Sequence, residues 1–339
     1  MMPGRHCGYA RSLEGQGGVA ACIRRLASRQ IPALAVKVDA WLPAAMRRIG
    51  LALLALVVLA GLGLRPEPAR AQSMDVLDEV GLCYTSAASW YEAAAGNGRT
   101  LDTLEWQPFG YETGWETYVP MTQQEIGTRC APSTPGFAQA LAAFQLRYGL
   151  PADGRFGPAT FAILKGVWQE RRPFVMARVR GECPAYPERH DLQEFDRTEE
   201  TLQRPGRMGQ PVAIAAFRRM VRDARAEVPE LAADPLLLTV YSTYRHPDID
   251  GVRCEDEANC DGLRRASCSA HRTGWAFDIN VGEAPGYGIA STNAYNRLVQ
   301  SRGPAYRWLV RNAGRYGFVN YIYEPWHWEY IGPEASYAP

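Results

Sequence analysis

Two short segments of the chain hold side chains of the kind that activate water. The first, Ser269-Ala270-His271-Arg272-Thr273-Gly274-Trp275-Ala276-Phe277-Asp278, brings an imidazole close to a carboxylate. The second, Glu324-Pro325-Trp326-His327-Trp328-Glu329-Tyr330, sets another imidazole between two carboxylates. His271, Asp278 and His327 together offer three nitrogen or oxygen ligands, the number with which a catalytic zinc site keeps a fourth position for water. Zinc lowers the pKa of such a water to about 7, and a nearby carboxylate can then take its proton. Glu324 is the candidate for that base, and for the later delivery of the proton to a leaving amine. A lone histidine beside aromatic residues is ordinarily a core residue, and His190 and His246 are read in that bland way, as solvated or structural. It is the joint occurrence of the two segments that singles out the others.

Strand alternation is what must position these groups. From Trp275 onward, Trp275, Phe277, Ile279 and Val281 would face a core, leaving Ala276, Asp278 and Asn280 on the other side. In the second segment Trp326, Trp328 and Tyr330 would share one face, and His327 and Glu329 the other. Upstream, Ala213, Phe217, Met220, Val221 and Ala224 mark an amphipathic helix over about 211–228. Leu236 to Tyr244 is a β-branched and aromatic run, read as a strand, and Arg245 stands at its end. Further helix is expected over 295–316 and two short strands over 319–331. Helix followed by strands, without βαβ alternation, argues an α+β class.

Ahead of this lies a second texture. Phe137, Leu141, Phe144 and Tyr148 recur at helical spacing, Gly149 to Gly154 makes a turn, and Gly157-Pro158-Ala159-Thr160 opens another helix carrying Phe161 and Leu164. Residues 72–118 are rich in Trp, Tyr and Gly without a clear period and are left unassigned. The polar, Pro-containing stretch 183–210 reads as a linker.

The motifs S-x-H-x-x-G-x-A-x-D, at Ser269, His271, Gly274, Ala276 and Asp278, and E-x-W-H, at Glu324, Trp326 and His327, resemble those of zinc D-alanyl-D-alanine carboxypeptidases of the VanY type, within the LAS-type peptidases. The resemblance implies a peptidase domain over 211–339 with a small antiparallel sheet flanked by helices. It implies His271, Asp278 and His327 as Zn2+ ligands, Glu324 as acid and base, and Arg245 as stabiliser of the oxyanion. Ser269 and Trp326 are the positions of these motifs expected at the substrate. Phe144-Gln145, Gly149-Leu150, Asp153-Gly154 and Phe156-Gly157-Pro158-x-Thr160 resemble the second half of a peptidoglycan-binding module, a small three-helix bundle placed at 119–172. The partners implied are peptidoglycan stem peptides and, through the helical module, the cell-wall glycan. Two features depart from the pattern. An acidic, Cys-rich insert separates Arg245 from Ser269, read as a disulfide-pinned loop before a calcium site at Asp248 and Asp250. Glu329 would face the site, where it could repel a substrate carboxylate, which leaves carboxypeptidase and endopeptidase action both open.

The rest of the sequence bounds these readings. Ile49 to Leu64 is an unbroken run of apolar residues and Gly, preceded by Arg47-Arg48 and followed by Ala69-Arg70-Ala71. It is shorter than the roughly 20 residues of a membrane span, and its flanks are those of a signal peptide, placed at 46–71. Met46 sits where an initiator would, so 1–45 reads as an over-long start. The expected product is exported to the periplasm or cell envelope, with no stable membrane span after processing; a retained anchor on a scaffold protein is the competing reading. Residues 1–71 hold ten Lys or Arg and three Asp or Glu, so removing their +7 from the net +1 leaves about −6. That balance gives no footprint for nucleic acid. Six cysteines remain (Cys83, Cys130, Cys183, Cys254, Cys260 and Cys268), an even number that suits up to three disulfides, and no C-x2-C pair among them suggests a thiolate zinc site. A non-catalytic wall-binding protein would have lost a ligand or the base, and all four residues are present.

Overall fold

Proline starts most of the helices, where its missing N–H costs nothing. The computed structural model describes residues 83–84, 88–201, 206–256 and 268–339, all within one compact unit, 69–339. Its first half is helical: α1 (Ser89–Thr100), a minimal hairpin of β1 (Glu105–Trp106) and β2 (Glu112–Thr113), then α2 (Val119–Ile126), α3 (Pro135–Arg147), α4 (Pro158–Glu170) and α5 (Pro173–Val179). Thr134 caps α3 by accepting from the Phe137 N–H. Phe137, Leu141 and Phe144 of α3 meet Phe161, Leu164 and Trp168 of α4 in one buried cluster. At its centre Trp115 stacks on Phe156 with ring centroids 4.0 Å apart. Gly154, at φ +68, lets the α3–α4 turn approach Ala138, whose carbonyl oxygen a Cβ there would meet at 2.6 Å.

The aromatic region left unassigned in the sequence belongs to this core. Trp106, Trp115 and Tyr118 are buried in the same cluster, and α1 packs on α3 through Ala93, Ala94 and Ala138. The Cys83–Cys130 disulfide ties the start of the described chain to the α2–α3 loop.

The second half is an α+β domain. It comprises β3 (Gln193–Glu194), β4 (Met208–Gly209), α6 (Pro211–Glu227), α7 (Pro229–Ala233), β5 (Val240–Ser242), α8 (Pro247–Asp256), β6 (Ala276–Ile279), α9 (Ala294–Arg302), α10 (Pro304–Asn312), β7 (Phe318–Tyr321) and β8 (Glu324–Tyr330). Four strands form an antiparallel sheet in the order β5-β6-β8-β7. One face buries Phe277, Ile279, Trp326, Trp328 and Tyr330 against Ile214, Phe217 and Met220 of α6 and Leu309 of α10. The other face carries the polar residues. The strand expected over 236–244 is confined to Val240–Ser242.

The stretch expected as a linker, 183–210, is instead folded onto the domain. β3 pairs with β4, Phe195 packs edge-to-face on Phe217 and Phe277, and Cys183 is bonded to Cys268. Its apolar residues are too few and too widely spaced to show a period, so only the tertiary contacts make them visible. His190 is exposed, as expected. The two halves also share a boundary: Ile322, from the β7–β8 turn, is buried in the helical cluster. No helix among the described residues is long and apolar enough to cross a membrane. The expected start, signal segment and anchor of 1–71, together with Cys260, lie outside the described residues.

Candidate metal centre

Register brings the first pair of candidate ligands together. β6 and β8 pair Ala276 with Glu329, Phe277 with Trp328 and Asp278 with His327. Alternation then places Asp278, His327 and Glu329 on the face opposite the tryptophans, as the sequence implied. The third group arrives on a single 3₁₀ turn, Ala270–Thr273. Ser269 caps that turn, its Oγ accepting from the His271 N–H at 3.3 Å. Gly274 closes it at φ +73, donating its N–H to the His271 carbonyl at 3.2 Å. The Arg245 N–H reaches the same carbonyl at 3.2 Å, anchoring the turn to the end of β5.

The ring orientations follow from their partners. His271 Nδ1 lies 2.8 Å from the Thr243 carbonyl oxygen, which can only accept, so Nδ1 holds the proton and Nε2 keeps a lone pair. That Nε2 is 3.2 Å from Asp278 Oδ1, and His327 Nδ1 is 3.0 Å from the same oxygen. His327 Nε2 lies 3.1 Å from Glu329 Oε1. Ligand atoms of His271, Asp278 and His327 all fall within 4.8 Å of one another, and all three residues are buried. Two imidazoles and a carboxylate with each ring held by an outer acceptor make a donor set that fits zinc.

Electrostatics separate the groups. Burial alone would raise the Asp278 carboxyl, but His271 and His327 outweigh it and hold it well below the usual carboxylate range. Burial, helped by Arg245, pushes the His271 imidazole down. For His327 burial is overcome by hydrogen bonds to Asp278 and Glu329, which move it up to about 9. Glu329 would likewise be raised by burial, but Arg172 and His327 bring it down to about 2. Glu324 stands at the rim, its side chain 30% exposed and its Oε2 4.0 Å from His327 Nδ1. Burial, aided by the Asp278 charge and opposed by His327, Arg172 and Arg245, raises its carboxyl above the ordinary range.

Arg245 is held in a fork. It donates from Nε to Asp250 at 2.9 Å, from Nη1 to Ser242 at 3.0 Å and from Nη2 to Ser269 at 3.0 Å. Asp250, a residue of the insert weighed as a calcium ligand, is thus paired with Arg245 at the end of β5. Ser269 is occupied with Arg245 and the His271 turn. Trp326, expected at the substrate, sits in the hydrophobic core at 2% exposure, on the strand face opposite His327. Glu329, expected to face a substrate carboxylate, is wholly buried and paired with Arg172 at 2.5 Å. Sequence reasoning missed Arg172 and the Thr243 carbonyl. The one available signal for Arg172 was that a carboxylate beside His327 needs a counter-charge, which does not say which arginine supplies it.

Residues 255–333 match the family model described as VanY, D-alanyl-D-alanine carboxypeptidase. Residues 132–164 match the model described as "Putative peptidoglycan binding domain". The first span contains Ser269, His271, Asp278, Glu324 and His327, and Arg245 lies ahead of it. The chain is 30% identical over 142 residues to "Putative carboxypeptidase YodJ" of Bacillus subtilis (strain 168), covering 37% of this chain and 46% of that protein. It thus spans about half the length of the curated relative it matches. Among solved structures it is similar to the LdcB LD-carboxypeptidase, at 25% identity and a TM-score of 0.32, covering 44% of this chain and 71% of that one. It is also similar to a variant of the vancomycin-resistance D,D-pentapeptidase VanY in complex with Zn(II), at 22% identity and a TM-score of 0.29, covering 46% and 86%. A third is VanYB in complex with D-alanine-D-alanine, at 21% identity and a TM-score of 0.28, covering 46% and 84%. With motif, strand register and family model coinciding on the same residues, the chain carries a domain of the VanY D-alanyl-D-alanine carboxypeptidase type, and ahead of it a peptidoglycan-binding domain.

Proposed function

We propose that the protein is an exported zinc peptidase that removes the terminal D-alanine from peptidoglycan stem peptides, held to the wall by its helical module. The observation that carries the reading is the convergence of His271 Nε2 and His327 Nδ1 on one Asp278 oxygen, with Glu324 at the rim 4.0 Å from His327 Nδ1. In this reading His271, Asp278 and His327 hold the ion. Zinc supplies Lewis acidity there, acidifying a water and polarising the scissile carbonyl. Glu324 accepts the proton of the attacking water on its carboxylate and passes it to the leaving amine; a raised pKa suits a group that must do both. Arg245, its guanidinium fixed by Ser242, Ser269 and Asp250, offsets negative charge on the carbonyl oxygen. Ser269 serves by fixing Arg245 and the His271 turn. The pairing of Glu329 with Arg172 offsets the charge that would repel a substrate carboxylate, which favours carboxypeptidase action.

The deciding experiment is mass spectrometry of pentapeptide and tetrapeptide muropeptides incubated with the zinc-loaded chain 72–339, beside Glu324→Ala. Loss of one terminal alanine from the pentapeptide, slowed by a factor of about 10²–10⁴ in Glu324→Ala, is the expected result. Internal cleavage keeps the metal chemistry and makes the enzyme an endopeptidase. No cleavage by folded, zinc-loaded protein overturns the enzymatic reading in favour of wall binding alone.

A further inference from the structure

Arg172 belongs to the helical half of the chain, in the break between α4 and α5. Pro173 causes that break: it has no N–H to continue α4, and it forces the residue before it out of the helical region. Arg172 accordingly adopts φ −101 and ψ 104. Its guanidinium then enters the peptidase half. Nε and Nη2 donate to Glu329 Oε1 at 3.2 and 2.5 Å, and Nη1 donates to Gln169 at 2.6 Å. Its Cζ lies 4.2 Å from the centroid of the Tyr321 ring, on the strand next to His327. The Arg172 side chain is 6% exposed and that of Glu329 0%.

Glu329 Oε1 is also the acceptor for His327 Nε2 at 3.1 Å. A hydrogen-bonded chain therefore runs from the α4–α5 break through Glu329 to a ring whose other nitrogen faces Asp278. A carboxylate that holds a metal-binding imidazole fixes its tautomer and orientation, and losing such a partner typically weakens metal binding 10–100-fold. Such a carboxylate keeps its geometry only while its own oxygen is held, and two N–H groups of Arg172 reach the Glu329 Oε1 that faces His327. Among the described residues Glu329 is paired with Arg172 and with His327.

We propose that Arg172 is a positioning residue of the metal centre, acting through Glu329 on His327, so that the wall-binding half supplies part of the peptidase site. This rests on His271, Asp278 and His327 being the metal ligands. The test is the zinc dissociation constant of the full chain, read by competition with a chromogenic chelator, and the visible spectrum of the cobalt(II)-substituted protein. Four proteins are compared: the parent, Arg172→Met, Glu329→Gln, and the double variant. The expected result is at least a tenfold loss of zinc affinity and an altered cobalt spectrum in Arg172→Met. In the double variant, affinity should equal or exceed that of Glu329→Gln alone. Unchanged affinity in Arg172→Met overturns the proposal. So do losses that multiply in the double variant, because Arg172 would then act independently of Glu329. If Arg172→Met fails to fold, the comparison of Glu329→Gln with the double variant decides, since neither holds an uncompensated carboxylate; a further tenfold loss in the double variant overturns the proposal. Failure of the parent to bind zinc overturns the ligand assignment itself, a separate outcome from any of these.

Discussion

Both ring nitrogens of His327 are committed, Nδ1 towards Asp278 and Nε2 to Glu329, so the imidazole is oriented by protein groups on both sides. His271 likewise has the Thr243 carbonyl at Nδ1 and Asp278 at Nε2. Asp278 is the residue common to both rings, since one of its oxygens faces each of them. Asp278→Asn is expected to reduce bound zinc to well below one equivalent, measured by elemental analysis after dialysis, in a protein that still melts cooperatively. Ser269→Ala should behave in the opposite way. It removes an acceptor for the Arg245 Nη2 and for the His271 N–H, a cost of about 1.5 kcal/mol or roughly tenfold in kcat, while metal content stays at the parent level. At this scale the sequence made legible which side chains come together: His271, Asp278 and His327 lie within 4.8 Å of one another, and Glu324 lies 4.0 Å from His327. It was misleading at Trp326, where membership of a motif suggested ligand contact although alternation already assigned the residue to the core face.

Secondary-structure elements were legible when they carried a period. The α6 stripe, the hidden face of β6 and the alternation in β8 all follow from residue spacing, and the register that pairs Asp278 with His327 extends that alternation across the sheet. The segment 183–210 was not legible, because a handful of buried residues such as Leu192, Phe195 and Met208 are held by pairing and by Cys183–Cys268 rather than by a repeat. Two measurements probe this scale. Gly274, at φ +73, closes the His271 turn, and a Cβ there would meet Leu192 at 2.9 Å; Gly274→Ala should lower stability by about 1–3 kcal/mol in urea unfolding. Glu199 and Arg218 tie the folded segment to α6 at 2.7 Å. Burial raises the Glu199 carboxyl, but Arg218 and the Asp196 N–H outweigh it and hold its pKa below the ordinary value. A depressed folded-state pKa means stability present above the unfolded value of about 4.3 and lost as pH falls through the folded value. Glu199→Gln should therefore cost about 1 kcal/mol or less at pH 7 and nothing once the carboxyl is protonated.

On the scale of the whole molecule the two halves are joined by more than a chain crossing. Arg297 of α9, 1% exposed, donates to Glu112 at 2.6 Å and to the Tyr118 hydroxyl at 2.9 Å, and it lies over the Tyr323 ring. Arg297→Met would leave Glu112 buried with the Tyr118 hydroxyl but without its counter-charge, so a loss of about 3–5 kcal/mol is expected, read as a large fall in Tm. A fragment of residues 206–339 should for the same reason fail to give a cooperative melt, since Arg297, Glu329 and Ile322 would all lose their partners at once. Family motifs divide the chain into a binder and a catalyst, and the sequence offers no hint of this coupling because it rests on residues far apart in number.

The placement of Ile322 in the helical core, and of Glu112 against Arg297, sets the order in which the protein can be made. Those partners are separated by 185 residues, and Arg172 from Glu329 by 157. Long-range contacts form late, because the intervening loop must be closed before any of them contributes. A chain emerging from the ribosome N-terminus first completes α1 to α5 while the residue that finishes their core is still unmade. Until then the bundle shows apolar surface and an uncompensated Glu112, the condition that chaperones recognise. The face that carries Asp278 and His327 is therefore completed among the last events of biogenesis, and a truncated product would be left with an unfinished helical half as well as without that face.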